Sequence, residues 1–584
     1  MSPPREEPDR PDDSLLAREP RSLASVLPVT RWLPGYRWGR DLVPDAIAGL
    51  ALAALLIPES MGYAGVAGVP PEVGLYAALG AVVAYVITGG TSILVVGPAS
   101  AVAALSASIV AEFPSDVDPI GLTAGLALTS GVLLLLAGAL RLGWIVNFIS
   151  RPVLHAFVAG LSISIIVGQL DGLFGIEVEG ESAVAKFLDV LRHLVDAHGL
   201  TTLIGVAAVA AILLLERVAE RVPAALVVVV VGILAVVAFD LSAEGVEIVG
   251  DIPQGLPDVG IPDLSGMRWL ELLAGGAALL LVGYSEGYAA ASAVAASTDE
   301  DIDADQELIG SGAANVGAGL LGGLAVGGSL SKSAAAEAAG ARTQVANLVA
   351  GVLVLATLLF LGPVFERLPE PVLAAVVIVA VLRSADPRRV LALWPVNRLD
   401  FAAGLITFVL VLVWETLPAM IVGVALSLAF LVRRASFPDV VELARDDAGV
   451  FRRAVDVDSP SGADDVAVLR FEAPLVYANA DRLRTAADRL VERRSGTARL
   501  ILDGEMISDL DTSGAEMLVD LDDELAANGV ELRLARFHAR ARAQIARSHL
   551  AGRFADRTHA RLEDAVAGSA DLGDRDDRDD QGDI

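Results

Sequence analysis

The segment Gly327-Gly328-Ser329-Leu330-Ser331-Lys332-Ser333 breaks an apolar region with two glycines and restarts it at a serine. Serine is a preferred helix N-cap, because its side-chain oxygen accepts a hydrogen bond from the first turn. A helix start presents unpaired N–H groups and about half a positive charge, which together attract anions. Lys332 adds a full charge one turn in. Inside a bilayer that charge costs roughly 2.5–3.5 kcal/mol or more unless an anion, a carboxylate or a water-filled cavity compensates it. Lysine occurs only at Lys186 and Lys332, so its placement here is read as functional. The bland alternatives are an ammonium snorkelling to the interface, or one paired with Glu337 or another carboxylate.

A matching break, Val96-Gly97-Pro98-Ala99-Ser100, stands 230 positions earlier. It predicts the start of an opposing half-helix, with Pro98 at a first helical position where the missing N–H is not needed. Alone, the Gly-Pro pair would serve equally as a kink. Each break is preceded by an acid in an apolar stretch. Glu59 lies 38 residues before Gly97, and Glu286 lies 41 before Gly327. Intramembrane acids are costly and commonly mark ion or proton pathways. Glu286 and Glu59 are therefore candidates for proton coupling, with a fixed ion pair to Lys332 as the alternative. The repeated spacing points to a duplicated, inverted unit.

Other constellations carry less. The six histidines lack metal-ligand spacing, cysteine is absent, and no phosphate-binding Gly-rich loop with its lysine is present. Gln169 is assigned to helix–helix hydrogen bonding. The acidic run Asp299–Asp305 is read as a solvated loop. The chain is accordingly expected not to be an enzyme, and to need no cofactor or metal.

Elements must hold these residues at bilayer depth, and the composition supplies them. Of 584 residues 54% are hydrophobic, with a mean hydropathy of +0.60, which is high for a soluble domain. The apolar residues gather between about Pro44 and Val432. Some runs approach the ~20 residues that cross a bilayer as a helix, while others are short or broken by Gly and Pro. The formal net charge of −30 excludes nucleic-acid binding by the whole chain. No secretory signal heads the sequence. Arg31, Arg37 and Arg40 precede the first apolar helix, and Arg433 and Arg434 follow the last. The positive-inside rule then puts both ends in the cytoplasm of a multi-pass protein of the cell membrane.

After Arg434 the pattern changes. Short apolar runs at Val466–Phe471, Leu500–Leu502 and Val530–Leu534 alternate with charged helical stretches at Asp481–Arg494 and Ala515–Asn528, as in a small α/β domain. The expected organisation is a polar N-terminal segment 1–40, a membrane domain 41–434, a linker 435–460, an α/β domain 461–568 and an acidic tail 569–584. Residues 1–25 and 570–584 are expected to be disordered.

The motifs resemble the SulP family of anion permeases, relatives of the SLC26 carriers. The likeness rests on IPESMGYAGVAGVPPEVGLYAA, TSILVVGPASAV, RLGWIVNFISRPVLHAFVAG and, above all, DADQELIGSGAANVGAGLLGGLAVGGSLSKSAAAEAAGARTQVANLVAG. RFEAPLVYANADRL and LILDGEMISDLDTSGAEML resemble a STAS domain. The resemblance implies an all-α polytopic membrane domain of about fourteen segments in two inverted sets of seven, split into core and gate, plus the α/β STAS domain. It implies an anion site between the third and tenth helices, lined by Glu59, Tyr63, Gly97, Pro98, Ala99, Ser100, Ser329, Leu330, Ser331 and Lys332. It associates Glu286 with proton coupling. It also implies a homodimer, formed partly through the STAS domain.

Two departures matter. The family usually carries Arg where Lys332 stands, so charge is kept but bidentate geometry is lost. Sodium-dependent bicarbonate members have an eighth-helix Asp followed four residues later by a hydroxyl. Here Glu286 is followed by Ala290, which argues against such a site. In the STAS domain Thr512 or Ser513, in Asp511-Thr512-Ser513-Gly514, matches a loop phosphorylated in related anti-anti-sigma factors. The expected activity is secondary active transport of an inorganic anion, sulfate first, by proton symport and alternating access. Bicarbonate or dicarboxylate transport, an anion channel and an anion sensor are the alternatives.

Overall fold

In the computed structural model the described residues run from 27 to 567, except 115–116, 145–149, 181, 220–222, 251–254, 256–258, 263–268, 383–385, 415, 447, 457–464, 495, 548–549 and 551. The tails 1–25 and 570–584 lie outside them. The chain divides into two compact units, with the division after Ser427.

Fourteen of the helical segments among the described residues are labelled α1 to α14 here, the last of them running past the division; Val29–Trp32, Ala183–His193 and Arg388–Leu391 are further helices of the first unit. The first seven are α1 (Trp38–Val66), α2 (Pro71–Thr88), α3 (Ser100–Ala111), α4 (Pro119–Ala139), α5 (Arg151–Phe174), α6 (Gly199–Val218) and α7 (Ala224–Phe239). The second seven are α8 (Trp269–Thr298), α9 (Ala304–Leu320), α10 (Leu330–Ala338), α11 (Val345–Phe365), α12 (Glu370–Leu382), α13 (Arg398–Val413) and α14 (Thr416–Ser436). Eight are long and apolar enough to cross a bilayer. The third of each seven is short: α3 has 12 residues and α10 has 9. At 1.5 Å per residue each reaches only about half of a ~30 Å hydrocarbon core. What precedes each is extended chain ending in a two-residue strand, β1 (Val96–Gly97) or β2 (Gly327–Gly328).

Packing sorts these helices into two groups. In the core, α9 lies against α4 and α2, α8 against α4, and α1 against α2 and α11. In the gate, α13 lies against α5, and α6 against α12 and α7. Small residues set the core's close approaches. A Cβ on Gly80 would stand 2.4 Å from the Gly317 carbonyl oxygen, and one on Gly131 2.8 Å from that of Gly312. The glycines of α9 thus let backbone meet backbone where bulkier residues would force the helices apart, the usual solution where no hydrophobic drive separates helix from lipid.

The second unit holds a six-stranded sheet in the order β4-β3-β5-β6-β7-β8. The strands are β3 (Val440–Arg445), β4 (Phe451–Arg453), β5 (Val466–Phe471), β6 (Arg499–Asp503), β7 (Glu531–Ala535) and β8 (Thr558–His559). β5 to β8 run parallel, while β3 is antiparallel to both neighbours. The stretch 435–460, expected as a linker, therefore carries two strands of the sheet. Val440 to Leu443 pair with Phe471 to Val468, satisfying an edge that β5 would otherwise expose. Alternation then fills both faces. Leu469, Phe471, Leu500 and Leu502 pack under α15 (Ala480–Arg493), α16 (Thr512–Ala527) and α17 (Ala539–Arg547). Val466, Val468 and Ile501 meet Leu562 and Ala565 of α18 (Leu562–Ala567) on the other face.

Candidate functional site

β1 and β2 pair antiparallel, Val96 opposite Gly328 and Gly97 opposite Gly327. This short ladder joins the two half-helices, so α3 and α10 leave a common point. Ser329 caps α10, its hydroxyl accepting from the Lys332 N–H at 3.4 Å. The expected cap is thus present. Pro98 is not at a first helical position: α3 begins at Ser100 with Ala99 extended before it. Pro98 instead turns its carbonyl to the Lys332 ammonium, which donates to it at 2.9 Å.

Lys332 is 1% exposed. Its ammonium stands 2.8 Å from Glu59 Oε2 and 5.1 Å from the Tyr63 ring centroid. Its partner is therefore Glu59, while Glu337 is exposed on the same helix. One ammonium proton is engaged by the Pro98 carbonyl, Glu59 Oε2 faces the ammonium as an ion pair without completing a hydrogen bond, and the ring below adds a cation–π contact. Glu286, on α8, keeps Oε2 buried without a hydrogen-bond partner. Tyr63 and Lys332 both lie within electrostatic reach of it. Ser100 reaches the Tyr63 hydroxyl. Glu59, Tyr63, Gly97, Pro98, Ala99 and Lys332 are buried, whereas Leu330 and Ser331 are exposed on the first turn of α10.

α8 reaches this point through glycines. A Cβ on Gly328 would sit 2.7 Å from Gly287 Cα. Gly283 and Gly287, one turn apart, thus seat β2 on the helix that carries Glu286.

Several residues around the site escaped the sequence reading. Asn315 of α9 accepts from the Val326 N–H at 3.0 Å and donates to its carbonyl at 2.9 Å. Ser333 accepts from the Val95 N–H at 2.9 Å, and Asn347 donates to the Leu94 carbonyl at 2.8 Å. Asp45 accepts from the backbone N–H groups of Arg342 and Thr343 and from the Thr343 hydroxyl, at 2.7, 3.2 and 2.7 Å. It thereby anchors the α10–α11 connection to α1. Carboxamides within apolar motifs were the available signal.

The run Asp299–Asp305 is not simply a solvated loop. Asp303 caps α9 and Asp305 accepts from the Gly143 N–H at 2.8 Å. Glu300 accepts from the Ser92 N–H at 3.2 Å. Just beyond, buried Glu307 accepts from the Tyr85 and Thr91 hydroxyls at 2.8 and 2.7 Å. These acids satisfy chain turns that would otherwise be bare.

In the second unit Thr512 and Ser513 are exposed at the start of α16. Asp511 caps that helix, accepting from the Gly514 N–H at 2.7 Å, and also accepts from the Tyr477 N–H at 2.8 Å. The two hydroxyls are therefore not spent on capping.

Two broken helices facing one another from inverted halves define a carrier-type membrane fold with an α/β domain after it. The chain belongs to the sulfate permease family, whose model matches residues 42–407, and a STAS domain matches residues 460–565. A probable sulfate transporter of Mycobacterium tuberculosis strain H37Rv is 33% identical over 521 residues, 86% of this chain and 92% of that one. The chloroplastic sulfate transporter 4.1 of Arabidopsis thaliana is 29% identical over 548 residues, 90% of this chain and 80% of that one. Among solved structures, the murine solute carrier 26 family member A9 anion transporter, inward-facing, superposes with a TM-score of 0.86 at 23% identity, covering 97% of this chain and 99% of that one. The transmembrane domain of the cyanobacterial bicarbonate transporter BicA matches with a TM-score of 0.58 at 21% identity, covering 66% of this chain and 97% of that one. These two likenesses establish the fold.

Proposed function

We propose that the chain is a proton-coupled secondary transporter of a small inorganic oxyanion, sulfate first, working by alternating access. The observation that carries this is the buried Lys332–Glu59 pair, set where two half-helix starts converge. The resting pair is neutral. A dianion brought beside an ionised Glu59 meets repulsion of about 4 kcal/mol per charge pair at 4 Å and an effective dielectric of 20. Protonation of Glu59 removes that repulsion and frees Lys332 for the anion. Glu286, with a bare carboxylate oxygen, adds a second place for a proton. Anion binding and proton uptake then favour one another, which is the linkage symport requires.

The curated relatives' names supply sulfate as the cargo. On this reading the substrate meets Tyr63, Gly97, Ala99 and Ser100 on one side and Ser329, Leu330 and Ser331 on the other. Both chain ends face the cytoplasm of the cell membrane, and the protein works as a homodimer. Phosphate on Ser513 or Thr512 would regulate it, and the exposure of both hydroxyls supports that role.

Labelled-sulfate uptake into proteoliposomes tests the proposal. An imposed inward proton gradient should drive accumulation above equilibrium. Uptake indifferent to the gradient would remove proton coupling, and saturable binding without net flux would make the protein a sensor.

A further inference from the structure

The extended stretches before α3 and α10 lie in the interior of a membrane-spanning unit, where water cannot satisfy backbone groups and each bare N–H or C=O is costly. The β1–β2 ladder covers only two residue pairs. The groups next to it are completed by side chains from neighbouring helices. Asn315 matches both polar groups of Val326, acceptor to its N–H and donor to its C=O, as a third strand would. The Val95 N–H donates to Ser333 Oγ, and the Val95 carbonyl accepts from the Ser329 N–H at 2.9 Å. Ser333 also donates to the Ser329 carbonyl at 2.7 Å. Asn347 donates to the Leu94 carbonyl and, at 2.6 Å, to Gln344 Oε1, while Gln344 donates to the Thr91 carbonyl at 2.7 Å. Asn315, Ser333 and Asn347 are all buried.

We propose that Asn315, Ser333 and Asn347 are positioning residues of the anion site. They hold the two half-helix starts in register, so that the N–H groups of α3 and α10 and the Lys332 ammonium converge on one point. The inference rests on the anion-site reading given above. Ser333 is its pivot, because one hydroxyl joins the approach to β1 to the cap of α10. A site held by preorganised donors loses affinity when its frame loosens, even though no group touching the anion has changed.

The test uses the full chain in detergent, titrated with sulfate, bicarbonate and chloride while the melting midpoint is followed. In parallel, uptake by proteoliposomes separates KM from maximal rate. Ser333→Ala and Asn315→Ala should each raise the half-saturating concentration of the stabilising anion about tenfold, the weight of one hydrogen bond. Maximal rate should change less than twofold. Ser333→Thr, which keeps the hydroxyl, should behave as wild type. Unchanged half-saturation in both alanine variants would overturn the proposal, whatever happens to their stability. If Asn315→Ala yields no folded protein, Ser333→Ala and Ser333→Thr decide alone: an affinity loss restored by threonine supports the proposal, and its absence overturns it. A wild-type protein stabilised by none of the three anions would instead remove the anion-site reading.

Discussion

The Lys332 ammonium and the Glu59 carboxylate stand 2.8 Å apart, joining helices α10 and α1 across 273 positions of sequence. The positive charge that would attract an anion is thus held by the group that would accept a proton. On the proposed function, affinity and pH response are two readings of one contact.

Glu59→Gln separates them. The substitution keeps shape and removes the competing charge, so Lys332 is left facing the site. Anion affinity should rise at least tenfold, and its dependence on pH should weaken. Proton-driven accumulation should vanish. Calorimetric titration at several pH values checks it, and a pH dependence of affinity unchanged from wild type would place the coupling elsewhere.

Lys332→Ala should weaken anion binding by about two orders of magnitude, as expected for deleting one partner of a buried charged contact. It also leaves Glu59 without its cation. Melting of the anion-free protein should therefore become more pH-sensitive than in wild type. Wild-type anion affinity in this variant would discard the site.

Glu286→Gln should abolish proton-driven accumulation while sparing part of the sulfate–sulfate exchange. Exchange requires binding and movement of the loaded protein, not net proton transfer. Loss of both together would recast Glu286 as a structural group.

Gly328→Ala should be far more damaging than Gly327→Ala. At Gly328 the new methyl meets Gly287 Cα at 2.7 Å, and backbone cannot give way. At Gly327 the nearest atom is Val102 Cγ2 at 3.4 Å, an ordinary contact. Melting midpoints of the two variants make the comparison, and equal loss would mean that α8 does not rest on β2 as described.

The STAS domain carries its own pH signature. Burial pushes the Asp522 carboxyl up, but hydrogen bonds from Arg557 and Arg553 outweigh it and hold it below the usual carboxylate range. A depressed folded-state pKa stabilises above the unfolded value, near 3.9, and that stability is lost as pH falls through the folded one. Hydrogen exchange in α16 should therefore be pH-independent in this respect near neutrality and should accelerate, after correction for intrinsic rates, below about pH 4. In Asp522→Asn that acid-induced acceleration should disappear.

Much of this protein was legible one residue at a time. Membrane segments declare themselves by runs of apolar residues, since lipid demands helices that satisfy their own backbone. The two Gly breaks, the Ser329 cap and the strands at Val466–Phe471 and Arg499–Asp503 follow from local chemistry in the same way. Lys332 stood out because the chain has just one other lysine.

What the tertiary structure decided is which distant groups meet. Nothing in the period of α1 says that Glu59 rather than Glu337 faces Lys332, because that depends on the rotation of two helices packed from opposite ends of the domain. Pro98 looked like a helix starter and became a carbonyl acceptor, since its neighbour Ala99 stays extended to keep β1 paired. Residues 435–460 looked like linker because β4 is three residues long and mostly exposed, and Glu442 interrupts the apolar run of β3. Asn315 and Asn347 stood in the sequence only as carboxamides within apolar motifs: a carboxamide reveals its purpose when the backbone it completes is brought beside it.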